Sequence, residues 1–245
     1  GEYWIDLEMG IAYVRLTPGD VPRGMEATVN GTALLVVSAP NVVVEGLELR
    51  GGRGVGISVI GSDVTLRRLG VRSFGRSGIV AIADRLTVDG CDVEDLGEAG
   101  VDILSGDRRS VTPGRSLVRD LRARRVGRWV RTYRPGVSLG GIGNRIERSR
   151  FSQMPHQAIA IFGNDQVVER CDISDVCRET GDSGAIYMGR DPSMRGTIIR
   201  WNRFTEIAPR QNTEGEFNSV MGVYLDDCWP GTLVEGNLFD MRGHG

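Results

Sequence analysis

The chain has 245 residues, 35 of them glycine and 6% aromatic, and its 30 basic side chains nearly cancel 32 acidic ones for a formal charge of −2. Every basic residue is arginine, since no lysine occurs. That balance supplies no whole-molecule field for a polyanion, so nucleic acid is not an expected partner. No apolar run is long enough to span a membrane, and a soluble chain without membrane contact is expected. The opening lacks a signal-peptide pattern, and the chain begins without Met and stops at Gly243-His244-Gly245 within a repeat. A portion of a longer protein, cut short at its C-terminus, is the expectation.

In chain order, Gly1 to Ser38 does not fit the pattern that follows. Tyr3-Trp4-Ile5 and Ile11-Ala12-Tyr13-Val14 flank a turn, which predicts a hairpin or early strands capping the first coil. From Ala39 the chain repeats about every 22 residues: Ala39 to Ile60, Gly61 to Ile82, Ala83 to Leu104, then an enlarged unit Ser105 to Gly140. Gly141 to Phe162, Gly163 to Gly189 and Arg190 to Asp227 follow, before a partial last unit.

Each unit carries three strand signals. A first strand holds pairs such as Val42 and Val44, Val64 and Leu66, or Leu86 and Val88. A second begins with the column Leu47, Leu69, Cys91, Leu121, Ser149, Cys171, Asn202, Asn237 and continues with Leu49, Val71, Val93, Ala123, Phe151, Ile173, Phe204, Phe239. A third opens after Gly or Ala, as in Gly56-Ile57, Gly100-Val101 and Ala185-Ile186. Three short strands per unit predict an all-β, single-domain right-handed parallel β-helix of about eight coils. A leucine-rich repeat would show one strand signal and an asparagine-and-leucine consensus, which is absent. Asn202 above Asn237 predicts an internal amide ladder. The cysteines Cys91, Cys171, Cys177 and Cys228 lack zinc or disulfide spacing and are expected to fill the core.

Regular coils are scaffold, so chemistry is sought where the repeat is interrupted: Asp107 to Arg115, Gly127 to Pro135, Arg178 to Ser183 and Ala208 to Val220. Beside these insertions the outward column of the third strand reads Ser138, Ala160, Tyr187, Tyr224, with Asp226 two residues further on. Stacked tyrosines next to a carboxylate suit a sugar, or form an ordinary exposed ladder. Asp182 and Asp226 are the expected catalytic pair, because glycoside hydrolysis requires one protonated and one ionised carboxyl. Asp165 fits a turn cap better. His156 is either a hydrogen-bonded structural residue or a substrate contact, and Arg190, Arg134 and Arg178 either hold a uronic carboxylate or are solvated. No phosphate loop, dinucleotide fingerprint, nucleophile elbow or zincin motif occurs in context.

The run Glu179-Thr180-Gly181-Asp182-Ser183-Gly184-Ala185-Ile186-Tyr187, then Gly189-Arg190-Asp191 and Gly222-Val223-Tyr224-Leu225-Asp226-Asp227, resembles bacterial β-helix proteins of glycoside hydrolase family 141. Thr132-Tyr133-Arg134-Pro135, Pro155-His156-Gln157-Ala158-Ile159 and Gly163-Asn164-Asp165 carry the same resemblance, whereas the family often has histidine where Gln166 stands. The resemblance implies hydrolysis of a plant or algal cell-wall polysaccharide, with fucosidase and xylanase activities among relatives, and it implies Asp182 and Asp226 as the acids. Tyr187, Tyr224, His156, Arg190, Asp191, Asp227, Glu179 and Arg134 complete the expected substrate-lining set. A secreted or periplasmic monomer needing no cofactor is expected. A polysaccharide lyase, with arginine or Ca²⁺ neutralising a uronate, and a non-catalytic carbohydrate-binding or structural solenoid are the alternatives.

Overall fold

The computed structural model describes residues 2–6, 8–9, 11–15, 19, 28–208, 219–227 and 231–240. Cys228, the C-terminal Gly243 to Gly245 and most of the Ala208 to Val220 insertion lie outside the described residues. Among those described there is no helix, and the strands form three parallel sheets wound into a right-handed β-helix. The first two sheets have eight strands each. The third has eight parallel strands plus the short antiparallel Thr112–Pro113. Glu2–Asp6 and Ile11–Arg15 pair antiparallel as a separate hairpin. Leu35–Val37, within the segment read as a cap, pairs in parallel with Ile57–Ile60 and starts the third sheet.

The repeat becomes columns in space. Leu49, Val71, Val93, Ala123, Phe151, Ile173, Phe204 and Phe239 are register partners in successive coils, and Phe204 stacks on Phe239 with ring centroids 4.6 Å apart. Alternation puts these side chains inward, where most are fully buried, and the neighbouring residues outward. The corners are sharp because one residue per corner adopts a left-handed backbone. Arg68, Gly90, Asp120, Arg148, Arg170 and Trp201 mark the turn from first to second strand, and Asp63, Arg85, Arg115, Gly143 and Asp165 the turn from third to first. Asp165 is therefore a corner residue, as its turn reading anticipated. Before the third strand the chain passes so close to the next coil that a Cβ at Gly100 would sit 2.3 Å from the Gly136 carbonyl oxygen.

Polar side chains inside the solenoid form two ladders that satisfy corner backbone groups. Asn144 accepts from the Ser116 N–H at 2.9 Å and donates to the Ser105 carbonyl at 3.0 Å, and its own N–H donates to Gln166 Oε1 at 3.0 Å. Gln166, where the resembled family often has histidine, is fully buried in this ladder and faces away from the outer surface. In the second ladder Asn202 donates to Asn237 Oδ1 at 3.0 Å and accepts from the Cys171 N–H at 2.9 Å, the predicted amide stack. Substituting Asn144→Leu keeps the branched shape but leaves the Ser116 N–H and Ser105 carbonyl without their partner. A loss of about 2 kcal/mol in urea-unfolding free energy is expected, and an unchanged midpoint would show the ladder to be dispensable.

Outside, arginine–carboxylate pairs climb the first two sheets. Glu169 is 2% exposed and meets Arg170 at 3.1 Å and Arg200 at 2.8 Å, as well as Arg145. Burial pushes its carboxyl up, but the three guanidiniums outweigh that and hold it below its ordinary value. Arginine suits this work because its long, forked head spans the roughly 4.8 Å between rungs. Cys91, Cys171 and Cys177 are free and buried, with burial pushing the latter two thiols up to about 12. They are expected to resist maleimide in the native protein and to be modified only after unfolding, as peptide mapping would register.

Candidate active site

The third sheet differs outside from the other two. Its outward positions carry no arginine ladder but Ser58, Val80, Asp102, Ser138, Ala160, Tyr187 and Tyr224 in register. Parallel to these run Ile60, Ile82, Leu104, Gly140 and Phe162. Insertions border this face: the hairpin of Val101–Asp107 with Thr112–Pro113, and the loop 127–135, whose start is bonded to the backbone of Leu96, Gly97 and Glu98.

Tyr187 and Tyr224 lie in adjacent rungs with ring centroids 5.6 Å apart, edge to face. Their hydroxyls cross between rungs. Tyr187 donates to Asp226 Oδ2 at 2.8 Å, and Tyr224 donates to Asp182 Oδ1 at 2.8 Å. The Tyr224 hydroxyl also interacts with Asp226, so it stands between the two carboxylates. Arg190 Nε donates to the same Asp226 oxygen at 2.9 Å, and Asp227 lies 3.6 Å from Arg190 on the exposed side. Gly189 makes this arrangement possible: it is the register partner of Asp226, and a Cβ there would approach the Asp226 Cβ to 2.7 Å.

Asp226 is 7% exposed. Burial pushes its carboxyl up, but hydrogen bonds from Tyr187 and Arg190 outweigh that and leave it below its ordinary value, hence ionised at neutral pH. Burial and the Asp226 carboxylate push the Tyr187 phenol up to about 12. The Asp182 carboxylate pushes the Tyr224 phenol up as well, so both hydroxyls remain protonated donors.

The other expected residues divide. His156 is buried, with Tyr133 covering its ring at 5.1 Å between centroids and the Tyr133 N–H pointing to Nδ1 at 3.4 Å. Burial lowers its imidazole to about 4, and it supports the 127–135 loop. Glu179 forms an ion pair with Arg131, tying that loop to the 178–183 insertion. Asp191 is drawn into a different cluster, accepting from Arg108 at 2.8 Å and from Ser193, which hold its carboxyl down at about 2. Arg134 lies 3.8 Å from Glu98, in a group with Asp102, and Arg178 pairs with Asp175. The tyrosine pair thus gathers Asp182, Asp226, Arg190 and Asp227, and leaves Asp191 and Arg134 elsewhere.

Three neighbours were missed in the sequence. Tyr133 stands in the sequence only within a motif, yet its ring covers that of His156. Arg108 anchors the inserted hairpin by donating to Asn164 at 2.7 Å as well as to Asp191. Asp102, hydrogen-bonded by Ser77 at 2.9 Å, has its carboxyl pushed up by burial. Counting one unit on from Val80 would have found Asp102, whereas insertions have no register from which to place Tyr133 or Arg108. Among the described residues no three His, Cys, Asp or Glu side chains converge as a metal cluster.

No family model matches the chain, and no curated protein matches it in sequence. Solved structures match in fold. The A-module of mannuronan C-5 epimerase AlgE4 from Azotobacter vinelandii superposes with a TM-score of 0.61 at 13% identity, over 86% of this chain and 56% of that one. The enzymatically active domain of bacteriophage CBA120 tailspike protein 2 gives 0.60 at 12%, over 86% and 33%. The alginate lyase of Paenibacillus sp. str. FPU-7 gives 0.53 at 15%, over 86% and 91%. This chain spans about half of the epimerase module and a third of the tailspike domain. At such identities the likeness establishes the parallel β-helix, not the reaction.

Proposed function

We propose that this chain is a glycoside hydrolase acting on a plant or algal cell-wall polysaccharide, akin to glycoside hydrolase family 141, on the third-sheet face. The observation that carries this reading is a pair of carboxylates, Asp182 and Asp226, on either side of the Tyr224 hydroxyl on the outward face of the third sheet. Asp226, ionised and fixed by Tyr187 and Arg190, is the nucleophile or water-activating base. Asp182, exposed at the other side of Tyr224, is the second carboxyl of the pair. The tyrosine rings offer apolar faces to the sugar and their hydroxyls bond its oxygens. The substrate class favours a secreted or periplasmic enzyme, working as a monomer.

The fold neighbours named epimerase and alginate lyase favour a second reading, elimination beside a uronic carboxylate with Arg190 as the neutralising cation. Against it, a tyrosine base would need a lowered phenol, and here both are raised. Incubation with fucosylated, xylan and uronic glycans separates the two. Hydrolysis yields saturated reducing ends, elimination yields ultraviolet-absorbing unsaturated ends, and a binding module yields neither. Tyr187→Phe is expected to lower kcat/KM about tenfold or more by releasing one restraint on Asp226. Wild-type kinetics in this variant would remove Tyr187 from the site.

A further inference from the structure

A second concavity opens on the same face. A cavity of about 710 Å³ lies between the inserted hairpin and the neighbouring rungs, with Leu104 and Phe162 on its floor and Arg108, Arg109 and Arg195 on its walls. Leu104, Gly140 and Phe162 are consecutive in their column. Two rungs beyond Phe162 the same column reaches Asp226, so the cavity and that carboxylate are about 10 Å apart along the solenoid axis.

The charges of this cavity are unequally answered. Arg108 is spent on Asn164, Asp191 and Ser193. Asp107 turns back into the hairpin, accepting from Ser110 at 2.7 Å and from the Arg109 N–H at 2.9 Å. Arg109 and Arg195 make no side-chain hydrogen bond or ion pair among the described residues; the charge of Arg109 acts on Asp107, and Asp165 is the other carboxylate of the lining. Two guanidiniums without a hydrogen-bonded side-chain partner, over an apolar floor, match a pyranose ring that carries an anionic substituent. Many other arginines climb ladders with acids in register, and Arg109 and Arg195 differ from those in lining a cavity without such a partner.

We propose that this cavity is a subsite for a glycan unit bearing a carboxylate or sulfate ester, two rungs from the reaction centre, held by Arg109 and Arg195 with Phe162 beneath the ring. The proposal deepens the glycosidase reading and rests on the outward face of the third sheet being a glycan site. It implies that the bound polysaccharide lies along the solenoid axis and spans several rungs.

Calorimetric titration with oligogalacturonate, a sulfated galactan oligosaccharide and a neutral xylo-oligosaccharide of matched length tests it. At low ionic strength at least one charged ligand is expected to bind about tenfold more tightly than the neutral one, and the tighter of the two identifies the anion. The double variant Arg109→Ala/Arg195→Ala should lose that preference while holding the neutral ligand as before. These side chains are exposed and without a hydrogen-bonded side-chain partner, so the fold should persist, and circular dichroism checks it. Equal affinities for charged and neutral ligands, an unchanged preference in the double variant, or no glycan binding at all would each overturn the subsite. Charge preference without bond cleavage on any substrate would instead sink the hydrolase reading and leave the subsite standing. Cleavage without charge preference would do the reverse.

Discussion

Asp226→Asn is expected to reduce glycan turnover about 10²- to 10⁴-fold with little change in fold. Asparagine has the same shape and still accepts from Tyr187 and Arg190, so the tyrosine pair keeps its place and only the negative charge is lost. Arg190 is not stranded by the change, because it is exposed and Asp227 is at hand. The pH profile gives an independent reading. Asp226 must be ionised to act, and its carboxyl lies below the ordinary 3.8, so the acid limb of the wild-type profile should fall below that pH. In Tyr187→Phe one of the causes that depress the carboxyl is gone, and the limb should move upward. Reducing-end release measured against pH in the three proteins decides the matter; an active Asp226→Asn enzyme would refute the assignment.

Much of this molecule was legible because a parallel β-helix converts a period in sequence into a contact in space. Once Leu49, Val71 and Val93 are counted 22 apart, their stacking is fixed, and so is the outward placement of Tyr187 and Tyr224. Asp226 followed by alternation alone. What counting could not supply was the behaviour of segments outside the register. Asp191 follows the motif Gly189-Arg190 directly, yet after the third strand ends the chain turns and Arg108, from a hairpin 83 residues earlier, captures its carboxylate. Arg134 leaves with Glu98 for a similar reason, since the 127–135 loop is anchored by its first residues to an earlier rung. The direction of the tyrosine hydroxyls was likewise beyond reach, because a strand position fixes the Cβ and not the side-chain torsions. That crossing is what joins Asp182 to Asp226.

His156 is expected to make the protein acid-sensitive above the pH range in which its depressed carboxylates titrate. The imidazole is 5% exposed, its Nδ1 faces the Tyr133 N–H, and burial lowers it to about 4, against 6.5 for a free side chain. A group with a depressed folded pKa contributes its full share of stability above the unfolded pKa and loses it as pH falls through the window from 6.5 to about 4. In that window the unfolded chain takes up a proton that the native chain refuses. At about 1.4 kcal/mol per unit, the drop between pH 7 and 4.5 amounts to ~2–3 kcal/mol. The depressed carboxyls of Glu94, Glu169 and Asp226 titrate lower, and buried Asp102 acts in the opposite sense by binding its proton more readily in the native state. These contributions cancel when wild type is compared with His156→Gln, whose amide oxygen can still accept from Tyr133. Urea-unfolding free energies of the two proteins should therefore converge on acidification, with the wild type losing ~2 kcal/mol more than the variant from pH 7 to 4.5. Parallel pH curves would mean that the imidazole under Tyr133 can take a proton in place. If the curves do converge, protonation that unseats His156 also frees the loop carrying Tyr133, and glycan turnover should decline over the same interval, well above the acid limb set by Asp226.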